Sequence, residues 1–164
     1  KNCTEKGLPM VRALFVEFPD DPGAWLVEDQ YMFGNDIMVA PMMENGSQRN
    51  VYLPSGKWID YQSGKIYKSG WNKISVGHIP AVILVRDGSV IPHIALAQST
   101  DKMDWSKLEL SVYSSDAKQA KGLLCIPADN VLKEVMLTNE GSKWLVKDNP
   151  YQGKIKLTVN NIIK

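Results

Sequence analysis

The sequence predicts a mainly β protein, built from antiparallel β-sandwich domains that follow a short segment of different character, one strand and a helix. Three observations carry that prediction. From Asp36 onward, apolar and polar residues alternate in short runs rich in Val, Ile, Tyr and Trp. Turn residues return about every 8–12 positions, the spacing of sandwich or barrel strands and not of βαβ units. Only Met10 to Phe18 forms a nearly unbroken apolar run, the pattern of a strand buried on both faces.

Taken in order, the residues before Leu8 are polar, and Met10–Phe18 (MVRALFVEF) reads as that buried strand. Pro19-Asp20-Asp21-Pro22 ends it and starts a helix, with Asp21 as N-cap and Pro22 in the first turn, where its missing N–H costs nothing. The helix is expected from Pro22 to Phe33, with Gly34 as a left-handed stop. Strands follow at Asp36–Pro41, Arg49–Leu53, Lys57–Tyr61, Lys65–Lys68, Trp71–Val76, Ala81–Arg86 and Val90–Ala95. Asn45-Gly46, Pro54-Ser55-Gly56, Ser63-Gly64, Ser69-Gly70 and Asp87-Gly88 are read as the turns between them. The aperiodic stretch Gln98–Asp104 is read as a boundary. A second series then covers Lys107–Tyr113, Gly122–Ile126, Val131–Thr138, Lys143–Lys147 and Lys154–Val159. The expected segments are therefore 1–35, 36–104 and 105–164.

A chain of 164 residues, 44% apolar, has room for one domain or two small ones. With 19 Lys+Arg against 18 Asp+Glu and no dense basic stripe, it offers no field for gathering phosphates, so no nucleic-acid partner is expected. No apolar run of about 18 residues could span a bilayer, and no membrane partner is expected either. Lys1-Asn2-Cys3-Thr4, without an initiating Met or a basic-then-apolar leader, reads as the start of a processed chain or of a piece of something larger. Cys3 and Cys125 are read as unpaired thiols, a single disulfide being the alternative; two cysteines alone build neither a disulfide framework nor a zinc site.

Signatures of chemistry are sparse. His78 and His93 have no ligand-spaced partners, so each is read as a packed or surface residue and no metal is expected. No G-x-S-x-G, dinucleotide-binding or phosphate-loop pattern occurs, which removes an anchor for a serine nucleophile or a cofactor. Glu17, Asp20, Asp21, Glu28 and Asp29 cluster in sequence. Paired-carboxylate chemistry would need two of them converging to about 5–5.5 Å, or farther if a water must fit between. The plainer reading makes Asp20 and Asp21 helix-start residues and Glu28 and Asp29 surface residues of that helix. Five tryptophans, Trp25, Trp58, Trp71, Trp105 and Trp144, could stack on sugar rings or fill sandwich cores; Trp71 and Trp105, flanked by polar residues, are the candidates for exposure. Asn2-Cys3-Thr4 and Asn45-Gly46-Ser47 match the glycosylation sequon and carry no information on compartment.

Read together, Gly7–Leu14 (GLPMVRAL), Glu17–Pro22 (EFPDDP), Asp29–Gly34 (DQYMFG) and Ile37–Pro41 (IMVAP) resemble the end of the catalytic barrel in glycoside hydrolase family 31, the α-glucosidase and α-xylosidase family. Val51–Tyr61 (VYLPSGKWIDY), with Ser63-Gly64 after it, resembles that family's YLP-x-G-x-W-x-D stretch. Ile79-Pro80, Val85-Arg86, Gly88 and Ile91-Pro92 resemble its IP-x-x-x-R-x-G-x-x-IP stretch. The resemblance covers roughly the first 95 residues in the family's order, and EFPDDP is most like the α-xylosidase branch. It implies that Met10–Phe18 and the following helix are the remnant, last strand and short helix, of a (β/α)8 barrel, followed by a proximal and a distal β-sandwich. It also implies a parent enzyme of retaining mechanism that releases α-linked sugars from non-reducing ends with two Asp carboxylates and no metal or other cofactor. The family's W-x-D-M-N-E nucleophile motif is absent. Trp58-Ile59-Asp60 matches its first three letters, but Tyr61-Gln62-Ser63 follows, so Asp60 is not read as the nucleophile and no catalytic, substrate-binding or metal-binding residue is assigned. Glu17 and Phe18, at the C-terminal end of the expected barrel strand, are given a supporting role; the alternative has Arg12 and Glu17 bonding to absent barrel strands. The implied partners are the rest of the barrel and an α-linked oligosaccharide substrate of the parent enzyme; the alternative reading is a carbohydrate-binding or oligomerisation β-sandwich module, with a further copy of the protein as partner.

Overall fold

The computed structural model describes residues 1–116, 118–126, 131–141, 143–151, 153 and 155–160. In chain order, α1 (Asn2–Lys6) precedes β1 (Val11–Ala13), the single turns α2 (Leu14–Glu17) and α3 (Pro22–Trp25), β2 (Tyr31–Phe33), β3 (Ile37–Pro41), β4 (Gln48–Asp60), β5 (Ile66–Ser75) and β6 (Ala81–Arg86). Beyond Asp87 come β7 (Ser89–His93), β8 (Glu109–Tyr113), β9 (Gln119–Ile126), β10 (Val131–Glu140), β11 (Lys143–Asp148) and β12 (Lys156–Asn160). The fold is mainly β, and the described residues form two six-stranded sheets. The chain forms two compact units, Leu8–Asp87, and the residues from Gly88 onward together with Lys1–Gly7.

In the first unit the sheet runs β1-β2-β3-β6-β4-β5 with antiparallel neighbours. Met10–Phe18 is not a strand buried on both faces. Its burial alternates, with Arg12 7% exposed and Leu14 fully buried, while Met10, Val11, Phe15 and Val16 are exposed. The strand stops at Ala13 because the next turn, α2, brings Glu17 back to Arg12, an interaction an extended chain could not make over five residues. In residues 1–35 the described elements are α1, β1, the two single turns and β2, and β1 pairs antiparallel with β2. The helix expected to reach Phe33 also ends early. Asp21 caps it as expected, accepting from the Gly23 N–H at 2.9 Å with Pro22 in the first turn. Beyond Trp25, however, Gln30 and Met32 are buried while Phe33 is exposed, and this alternation takes Tyr31–Phe33 into a strand between β1 and β3. Gly34, left-handed at φ 66°, turns a hairpin and ends no helix.

Two expected hairpin turns do not reverse the chain. Pro54-Ser55-Gly56 lies inside β4 and Ser69-Gly70 inside β5, and the register passes from Leu53 opposite Gly70 to Lys57 opposite Lys68. Residues 54–56 thus face Ser69 alone, a bulge that bends the ribbon. Gly56 and Gly70 take φ of 124° and 99°, where a Cβ would be strained, and the buried Trp58 indole N–H closes the bulge on the Pro54 carbonyl at 3.1 Å. Before the bend, Val51 and Leu53 join Met38, Ala40, Val82, Leu84 and Ile74 in one apolar cluster with Trp58. Only Trp58–Asp60 of β4 pair with β6, so the backbone of the first half needs another partner on that side. Gln30 supplies it: the buried side-chain amide donates to the Tyr52 carbonyl and accepts from the Tyr52 N–H, both at 2.8 Å.

The second sheet runs β11-β10-β9-β7-β8-β12. Val90–Ala95 was expected in the domain before Gln98–Asp104, yet Ser89–His93 pairs residue for residue with Glu109–Tyr113, so the compact units divide between Asp87 and Gly88. This sheet is not purely antiparallel, because β12 runs parallel to β8 and β7 meets β9 in parallel. Val90, Leu110, Val112, Val135, Leu137 and Trp144 form its core. Cys3 and Cys125 are free thiols. The expected strand Lys154–Val159 begins at a residue outside those described; β12 covers its later part.

Replacing Gln30 by Ala strands the Tyr52 N–H and C=O together. Urea unfolding of Gln30→Ala is expected to show a loss of about 2 kcal/mol, the cost of unsatisfied buried polar groups, against less than about 0.5 kcal/mol for an exposed control such as Glu28→Ala.

Candidate functional site

Glu17 and Phe18 begin a surface groove of about 490 Å3, lined also by Asp20, Asp21 and Ser55. Behind it lies a charge cluster. Arg12 donates from Nε (3.2 Å) and from a terminal nitrogen (2.6 Å) to Oε2 of Glu17, and from that terminal nitrogen to Oδ1 of Asn35 (2.9 Å). Arg86 reaches Oε1 of Glu17 and the Asn35 carbonyl, each at 3.1 Å. The Arg86 guanidinium also lies 5.0 Å from the Phe18 ring centre and 5.5 Å from that of Trp58, and the two rings meet edge-on at 6.3 Å. Both oxygens of Glu17 are therefore engaged by guanidinium donors, which makes it the shared counter-ion of two arginines. The partners of Arg12 and Glu17 lie within this unit, so neither needs a barrel strand to be satisfied.

Asp21, on the groove wall, is held by Tyr52. The Tyr52 hydroxyl donates to Oδ1 of Asp21 at 2.6 Å. That bond to a carboxylate, then burial, then the nearby negative charge push the phenol up from its ordinary value. Gly23 is required here by space: a Cβ at that position would fall 2.2 Å from the Tyr52 ring. Of the acidic cluster seen in the sequence, Glu17, Asp20 and Asp21 come to this groove, Glu28 is exposed, and Asp29 pairs elsewhere with Arg49. Asp60 is buried and committed to its own turn, accepting from the N–H groups of Gln62 (3.0 Å) and Ser63 (2.6 Å) and from the Ser63 hydroxyl (2.8 Å). His78 lies in an exposed loop, and His93 stands opposite Glu109 in the second unit. Lys156 and Thr158 donate to Glu109 and hold its carboxyl below the usual range, with the charge of Lys156 and His93 adding to the effect. Among the described residues, no three His, Cys, Asp or Glu side chains gather as a metal site. No helix among them is long and apolar enough to cross a membrane.

Trp71 is 67% exposed, as expected, whereas Trp105 is half-buried and Trp58 and Trp144 are core residues. Sequence reasoning missed Trp25, which is 57% exposed, stacks on Phe15 with ring centres 4.7 Å apart and donates to the Pro19 carbonyl at 2.9 Å. Its only signal was its place in a helix now reduced to one turn. A second groove, of about 390 Å3, runs beside Trp71 and is lined by Asp29, Glu44, Asn45, Arg49 and Asn50.

The sequence pattern of the glycosyl hydrolase family 31 C-terminal domain matches residues 7–91, half of the chain, and the protein belongs to that family. The chain is 28% identical, over 98% of its length, to an α-glucosidase of Saccharolobus solfataricus, of which it covers 24%. It is 37% identical over 52% of its length to α-xylosidase XylQ of Lactiplantibacillus pentosus, covering 12% of that protein. A Flavobacterium johnsoniae GH31 dextranase complexed with glucose shares the fold at a TM-score of 0.69, with 22% identity over 87% of this chain and 19% of that one. The chain thus spans about a quarter or less of the length of these proteins.

Tyr52→Phe removes the bond to Asp21, and urea unfolding at pH 8 is expected to show a loss of about 1 kcal/mol, low for a bond to a charged group because water reaches it. The raised phenol implies a direction with pH. The bond contributes fully below the ordinary tyrosine value of 10.0 and is lost as pH climbs through the higher folded value, since the unfolded chain ionises first. The gap between wild type and variant should therefore narrow above pH 10.

Proposed function

We propose that this chain is the C-terminal, non-catalytic region of a retaining α-glycoside hydrolase that removes α-linked glucose or xylose from non-reducing ends, and that Leu8–Asp87 braces the catalytic (β/α)8 barrel. The catalytic carboxylates belong, in this reading, to the remainder of the parent protein. The supporting observation is the apolar surface spread over β1, α2 and α3. Met10, Val11, Phe15, Val16, Trp25 and Leu26 are all exposed, Leu26 by 82%, and the Phe15–Trp25 stack presents a flat, preassembled face. A patch of this kind on a small unit marks a surface that another body covers. The edge strand β1, with β2 as its single neighbour in the sheet, needs such cover for its outer row of backbone groups.

Residues 1–35, expected as the end of the barrel, would then supply a surface on which the barrel rests. The proximal domain would run to Asp87, in place of 36–104, and the distal domain from Gly88, in place of 105–164. The α-linked oligosaccharide is a partner of the parent; a second copy of the chain is the competing occupant of the apolar face.

The purified chain is expected to release no chromophore from 4-nitrophenyl α-glucoside or α-xyloside, and turnover abolished by Glu17→Gln or Asp20→Asn would overturn the non-catalytic reading. For bracing, Leu26→Asp should leave the stability of the 164-residue chain within about 0.5 kcal/mol, because that side chain meets water here, yet lower the melting temperature of the full-length parent. Equal stability of wild-type and variant parent would count against the docking face, and a dimer of the isolated chain that Leu26→Asp dissociates would assign the face to self-association.

A further inference from the structure

We propose that the groove beside Trp71 is a surface site for a neutral pyranose sugar, one ring stacking on the exposed indole and its hydroxyls bonding to the polar rim. A sugar ring has C–H faces and an edge of vicinal hydroxyls that donate and accept. It is recognised by a rigid aromatic plane beside planar amides and carboxylates.

Each part is present. Trp71 stands opposite Tyr52 in the β4–β5 ladder, and the two rings meet edge-on at 5.5 Å and 60°. Tyr52 is itself immobilised by Asp21 at its hydroxyl, by Gln30 at its backbone and by the close approach of Gly23. The indole is therefore exposed and backed by a fixed ring, so little freedom is lost when a ligand stacks on it. On the rim, Arg49 is held by the Asp29 carboxylate and the Pro41 carbonyl. Glu44, Asn45 and Asn50, which also line the groove, are not tied up in this way and offer an acceptor and two amides.

Charge and size narrow the ligand. Asp29 and Glu44 against Arg49 leave the rim net negative, which repels phosphorylated, sulfated or nucleic-acid ligands and leaves a neutral sugar. A volume of about 390 Å3 falls in the range of small-molecule sites and suits one or two rings. Its lining shares no residue with the groove at Glu17 or with the apolar face, and it goes beyond the bracing role. Recognition of a pyranose stands on the groove alone; the choice of α-linked glucose oligomers rests on the glycosidase reading.

Titration of the 164-residue chain with maltotriose and isomaltotriose, followed by calorimetry and by saturation-transfer NMR on the sugar signals, tests the site. A dissociation constant on the order of 1 mM is expected, as for a small open site. Trp71→Ala should weaken binding at least about tenfold with unchanged circular dichroism, while Trp25→Ala, at the other exposed tryptophan, leaves it unchanged. Asn45→Ala and Asn50→Ala keep the indole in place and should each weaken binding several-fold, which preserves the test if Trp71→Ala does not fold. No saturable binding of any neutral oligosaccharide up to about 20 mM, or undiminished binding by Trp71→Ala, would overturn the site. Binding of galacto- or cellotriose alone, dependent on Trp71, would confirm the platform and overturn the α-glucan assignment. The inactivity of the isolated chain towards nitrophenyl glycosides is decided separately, so the two readings fail independently.

Discussion

The bend in the β4–β5 ribbon is the constraint on which the first unit depends. Three residues of one strand face one of the other, two glycines take backbone angles that other residues resist, and the Trp58 indole ties the loosened segment to Pro54. The bend gives the ribbon two halves with separate tasks. Beyond it, Trp58 and Ile59 enter the sheet against β6 and carry Arg86 beside Trp58. Before it, Val51 and Leu53 close the core, and Tyr52 is free to turn to Asp21 and Trp71. Ser55, within the bulge, also lines the groove at Glu17.

The charges follow from this arrangement. Arg12 is buried at the edge of the sheet and Arg86 comes from its middle, and a single carboxylate on a helical turn answers both. Removing that carboxylate would leave the buried Arg12 guanidinium without its paired charge, which costs more than the pair stabilises. This explains why a run of apolar residues carries Arg12 and Glu17 and why it cannot continue as a strand. Asp60 illustrates the same economy. Its three hydrogen bonds hold the turn after β4, and the likeness of Trp58-Ile59-Asp60 to a nucleophile motif is a coincidence of letters in a stretch shaped by packing.

Much of the first unit was legible in its residues. Alternation located β3 and β6 almost to the residue, and the Asp21-Pro22 helix start is present with its cap. The two misread hairpin turns share a cause. Proline and glycine mark a local change in backbone direction, and the sequence does not say whether a partner strand will follow that change. At Pro54-Ser55-Gly56 and Ser69-Gly70 both strands bend together, so what reads as four short strands is two long ones. Trp71 was legible as an exposed aromatic because its neighbours are polar; Trp25 was not, because its exposure depends on a helix stopping at one turn.

The chain by itself determined the mainly β class, the family and the location of most strands, since these rest on short-range alternation and on local motifs whose chemistry needs no partner. Tertiary structure alone decided that Met10–Phe18 splits into an edge strand and a turn, that β7 joins the second sheet, and that β12 runs parallel to β8. It also decided which side chains meet: Glu17 with two arginines from opposite ends of the unit's sequence, and Trp71 with Tyr52 above a polar groove. Pairing and burial are long-range. A buried arginine must find its carboxylate and a bent strand must find cover for its backbone, and those needs are met by residues that no local pattern connects.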